Sequence, residues 1–142
     1  MNRSILPGIL FILGGALIAL LPQSVFPVCT GMVATASGSS VPMKCFWMAK
    51  AEIGTGALVV FGGLLFCLCR NPGARFGIAA MTAGAALLAV AFPTLLIGVC
   101  PSETMDCHMG TLPALALAGS FVFLVALVAC PGLARAMKGK RP

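Results

Sequence analysis

Four apolar stretches, about residues 5–21, 53–68, 76–99 and 112–129, are almost free of charge, and they decide what this chain can fold into. Runs of roughly 17–25 apolar residues cross the ~30 Å hydrocarbon core of a bilayer as helices. The run at 53–68 is the shortest, and Ala51 with the neutral residues before it extends the span. Too little polar surface remains to face water: 60% of the 142 residues are hydrophobic and 8% are charged. The mean hydropathy is +1.09. Only lipid solvates such an exterior. The sequence therefore predicts an all-α membrane protein, a four-transmembrane-helix bundle in one domain at 1–142, with the lipid bilayer as its first partner. Glycines at Gly8, Gly14, Gly15, Gly54, Gly62, Gly63, Gly77 and Gly84 give the spans small faces for close packing.

The net charge of +6 marks orientation and not nucleic acid. Arg3, Arg70, Arg75, Arg135, Lys138, Lys140 and Arg141 fall at one set of span ends; Lys44 and Lys50 fall at the other with Glu52, Glu103 and Asp106. The positive-inside rule then puts both termini in the cytoplasm and the loops near Cys45 and Cys107 outside. No aromatic-interleaved basic groove accompanies the charge, so nucleic acid is excluded as a partner. Ala34-Thr35-Ala36 has the form of a signal-peptide cleavage site but lies too far beyond the first run, which reads as a retained helix.

The halves echo one another. A shift of 71 aligns Pro22 with Pro93, Val28 with Val99 and Cys29 with Cys100; a shift of 62 aligns Met43 with Met105 and Cys45 with Cys107. Hairpin repeats at about 1–70 and 74–134, followed by a basic tail at 134–142, would be related by a pseudo-two-fold axis along the membrane normal.

Topology also divides the seven cysteines. Cys29, Cys45, Cys100 and Cys107 fall on the oxidising side, and Cys67, Cys69 and Cys130 near the reducing one. Four cysteines allow three pairings. The expectation is two loop staples, Cys29–Cys45 and Cys100–Cys107, each constraining the unfolded loop by ~2–4 kcal/mol. Two other uses of the sulfur compete with it. Met43, Cys45, Met105, Cys107, His108 and Met109 offer the thioether, thiolate and imidazole ligands that suit Cu(I). A labile disulfide working with a quinone would make a thiol-disulfide oxidoreductase, although the C-x-x-C pair usual in such enzymes is absent. No cofactor is expected, with copper or a quinone as the alternatives.

Nucleophile elbows, zinc-protease helices and phosphate-cradling loops are missing, which leans against an enzyme. The only acid at a span is Glu52, expected to pair with Lys50 or to meet water. Glu52, Phe46 and Trp47 are the candidates to face a partner, either a larger membrane complex or a second copy of the chain.

The pattern Cys29, Met43-Lys44-Cys45-Phe46-Trp47, Ala51-Glu52-Ile53-Gly54, then Pro93-Thr94, Ile97-Gly98-Val99-Cys100, Met105-Asp106-Cys107-His108 and Gly110-Thr111-Leu112-Pro113 resembles small four-span bacterial membrane proteins, the domain of unknown function 4418. The resemblance implies a multi-pass protein of the bacterial inner membrane with its cysteine loops in the periplasm. It also implies a non-catalytic accessory or assembly role, beside a MacB-like ABC exporter.

Overall fold

The computed structural model describes residues 5–29, 31–34, 38–99 and 107–138. Four helices dominate: α1 (Leu6–Leu20), α2 (Lys44–Leu68), α3 (Pro72–Ala91) and α4 (Leu112–Lys138). Each, with its adjoining π-helical turn where it has one, is long and apolar enough to cross a bilayer. A short antiparallel ribbon, β1 (Met32–Ala34) with β2 (Ser40–Pro42), precedes α2. It pairs Val33 with Val41 and turns near Gly38, whose φ of 78° suits glycine.

Two boundaries differ from the sequence expectation. The second span, expected from about residue 53 with an extension through Ala51, begins earlier: α2 starts at Lys44. Pro42 halts the ribbon, and no breaker lies between Lys44 and Glu52 to delay the helix. The fourth helix continues through Pro131 to Lys138. Neighbouring helices and local adjustment tolerate proline inside a span. Between α2 and α3 only Cys69–Asn71 intervene. There the Asn71 side chain accepts a hydrogen bond from Gly73 N at 3.0 Å, and Pro72 stands where a helix has no use for an N–H.

Packing groups the helices as two hairpins, α1 on α2 and α3 on α4, joined by the slighter α2–α3 and α1–α4 seams. In the first hairpin a β-carbon at Gly15 would come within 2.8 Å of the Gly56 carbonyl oxygen, and one at Gly63 within 2.7 Å of the Gly8 carbonyl oxygen. Backbones this close need glycine, because any side chain would wedge them apart. Phe11 and Phe66 meet edge to face at 5.7 Å within this hairpin. The core extends through Ile18, Val59, Ala86, Leu115, Val122 and Ala126.

Buried positions recur with the offsets seen in the sequence. Gly8, Phe11, Gly15, Ile18 and Pro22 are buried, and so are Ala79, Thr82, Ala86, Ala89 and Pro93, each 71 residues on. Pro22 and Pro93 both stand second in a π-helical turn, at Leu21–Val25 and Phe92–Leu96. On the other helices Met48, Glu52, Gly56, Val59 and Gly63 correspond to Thr111, Leu115, Gly119, Val122 and Ala126 at an offset of 63. The offset is 62 between Cys45 and Cys107. The π-helical turn Cys107–Thr111 accounts for the difference, since such a turn takes up one extra residue.

Candidate functional site

Cys45 stands in the first turn of α2, and Cys107 opens the π-helical turn that leads into α4. The hairpins bring these two helix starts together at one end of the bundle. The Sγ atoms lie 3.5 Å apart and neither side chain has any exposed surface. Val28, Cys29 and Met43 pack around the pair.

Local contacts explain how Cys29 arrives there. After Pro22 the chain is turned by Phe26 N donating to Leu21 O at 2.9 Å. Phe26 then lies against Gly110, where a β-carbon would meet its ring. The Phe26 carbonyl accepts from Thr111 Oγ1 at 3.0 Å, and Thr111 is fully buried. This hydrogen bond ties the end of α1 to the start of α4 across the two hairpins. Neither residue stands out in the sequence as functional; threonine four places after a cysteine carries no general signal.

A separation of 3.5 Å is sulfur in contact with sulfur. A disulfide would draw the atoms to ~2.05 Å. Two thiolates on one tetrahedral metal at ~2.3 Å would stand roughly 3.8 Å apart. The pair is therefore placed for either outcome after a small movement. Among the described residues no three His, Cys, Asp or Glu side chains gather as a metal site. A soft ion held by Cys45, Cys107 and the Met43 thioether falls outside that set of ligand types, and these three residues fit Cu(I), which accepts sulfur alone.

The remaining candidates are dispersed. Met109 is exposed, and His108 is half-buried with its Nδ1 buried and without a hydrogen-bond partner among the described residues. Cys100 and Met105 lie outside the described residues, so the staple expected between Cys100 and Cys107 does too. Trp47 is exposed and meets the Phe46 ring edge-on at 5.7 Å. Cys67, Cys69 and Cys130, at the far end, are free and half-buried.

Glu52 corrects the sequence expectation. It neither faces a partner nor pairs with Lys50: the residue is fully buried, and its carboxylate oxygens have no hydrogen-bond partner among the described residues. Residues two apart on a helix do not share a face. Lys50 instead extends over Phe46, its Nζ 5.5 Å from the ring centroid. Glu52 shares the inward face of α2 with Cys45, Met48 and Thr55.

A family model described as domain of unknown function (DUF4418) matches residues 11–131, from the first buried phenylalanine to the proline inside α4. The chain belongs to that family. The DUF4418 match takes in both helix hairpins, the sulfur pair and Glu52. It supports the resemblance read from the cysteine-bearing loops and brings no activity with it. No curated protein and no solved structure matches the chain.

Proposed function

We propose that this DUF4418 protein is a non-catalytic subunit of a larger complex in the bacterial inner membrane, with its cysteine-bearing end in the periplasm, locked by sulfur. The observation that carries the reading is the burial of Cys45 and Cys107 against one another. A thiol-disulfide enzyme has to present a sulfur to its substrate, and neither of these sulfurs reaches the surface. In an oxidising compartment a thiol pair in contact closes to a disulfide. The Cys45–Cys107 bond would join the two hairpins, where the Cys29–Cys45 and Cys100–Cys107 staples would each stay within one. Corresponding buried positions in the two halves support the pseudo-two-fold reading, with this sulfur pair near its axis.

The exposed Trp47 and the half-buried Phe46, beside the locked end, are the first surface such a partner would meet. The partner that the family resemblance implies is a MacB-like ABC exporter. Co-purification from native membranes in mild detergent tests the accessory role. A stoichiometric larger membrane protein is expected with the chain, lost on Trp47→Ala. A chain that purifies alone contradicts the reading.

The Met43 thioether beside the sulfur pair favours one second reading, a Cu(I) site. Metal content and free thiols, measured together after rapid denaturation with a thiol-blocking reagent, separate the two. Cys45 and Cys107 unlabelled, with no copper, support the lock; both labelled, with one copper bound per chain, support the metal.

A further inference from the structure

The seams between the hairpins carry two clefts at corresponding places. One lies between α1 and α4, where Leu6, Leu10, Phe121 and Leu124 line a groove of about 860 Å3. The other lies between α2 and α3, with Gly77, Met81, Leu58 and Phe61 at the corresponding positions and a volume of about 450 Å3. They differ in charge as well as size. Arg75 lines the first, and no charged residue lines the second.

Arg75 is held in place. Its Nε donates to the Cys69 carbonyl at 2.6 Å, and the guanidinium carbon stands 5.1 Å from the centre of the Phe66 ring. These contacts use one of its five N–H donors, and the terminal nitrogens remain for a bidentate oxyanion. The groove is therefore apolar along its length and cationic at one end. Along α4 it runs from Phe121, near the middle of the span, to Leu133. At 1.5 Å per residue that is about 18 Å. One leaflet contributes about 15 Å of hydrocarbon, half of the ~30 Å core. Length and polarity both match a single lipid standing in the leaflet at the basic end.

We propose that the α1–α4 groove binds one anionic phospholipid, an acyl chain lying between α1 and α4 and the phosphate held by Arg75. Basic pockets between transmembrane helices recognise anionic headgroups in this manner. The α2–α3 cleft, narrower and uncharged, has no such preference and serves as an internal control.

The experiment is native mass spectrometry of the full chain, released from micelles containing equal phosphatidylglycerol and diacylglycerol of the same acyl composition. The chain is expected to retain one phosphatidylglycerol about tenfold over diacylglycerol, which lacks the phosphate, the ratio one charge-assisted contact supplies. Arg75→Gln removes the preference. Gly132→Trp fills the groove from a position with open space around it and reduces retention of both lipids, whereas Gly77→Trp, equally open but in the other cleft, leaves the preference intact. Equal retention of the two lipids by the unaltered chain overturns the proposal. So does a preference that survives Arg75→Gln, or a dimer that Gly132→Trp abolishes, which would mark the groove as an interface between copies. Should Arg75→Gln fail to fold, Gly132→Trp decides: undiminished lipid retention overturns the proposal.

Discussion

Gly15 and Gly56 face each other backbone to backbone: a β-carbon on Gly56 would sit 2.6 Å from the Gly15 carbonyl oxygen. The α1–α2 hairpin closes at this crossing, and its counterpart in the other hairpin pairs Ala86 with Gly119. Gly56→Ala forces two helix backbones apart and is expected to cost about 1–3 kcal/mol, read as a lower midpoint in detergent unfolding. Gly54→Ala is the control. Nothing lies within 4 Å of a β-carbon there, and stability should hold within about 0.5 kcal/mol. Equal effects at the two positions would contradict the packing account.

Glu52 occupies the place in α2 that Leu115 occupies in α4. A buried carboxylate without hydrogen bonds lowers stability, so Glu52→Leu is expected to raise it by about 1–3 kcal/mol. The same unfolding titration checks it. A loss of stability would contradict the burial of that side chain without partners.

Thr111 fastens the first hairpin to the second through the Phe26 carbonyl. Thr111→Val keeps the shape and removes the donor, leaving the carbonyl unsatisfied, for a loss of about 1 kcal/mol. Hydrogen exchange should localise the change, with faster exchange at Val28 and Cys29 and none at Gly63. Uniform exchange along the chain would contradict a local tie.

Much of this was legible in the sequence, for reasons that can be named. Leucines and phenylalanines without charges between them mark spans by solvation alone, so the four helices follow without any tertiary information. Arg70-Asn71-Pro72-Gly73 marks the turn because Pro and Asn act locally. The start of α2 was missed, because Lys44 and Lys50 look like loop residues until Phe46 supplies a surface for the Lys50 side chain. The orientation of Glu52 depends on helical phase, which neighbouring charges in the sequence obscured. Contact between Cys45 and Cys107 was out of reach of spacing arguments. Cysteines that bracket a loop look paired within it, and only the assembly of both hairpins sets residues 62 apart side by side.

The central claim, that sulfur joins the two hairpins, is tested most directly by cutting the chain between them. A protease recognition sequence inserted between Arg70 and Asn71 allows cleavage in the membrane after free thiols are blocked. Denaturing electrophoresis without reductant should then show the two halves still joined. They should part on adding reductant, and part without it in Cys45→Ser or Cys107→Ser. Halves of the unaltered chain that separate before any reductant is added would show that no disulfide joins the hairpins and contradict the account.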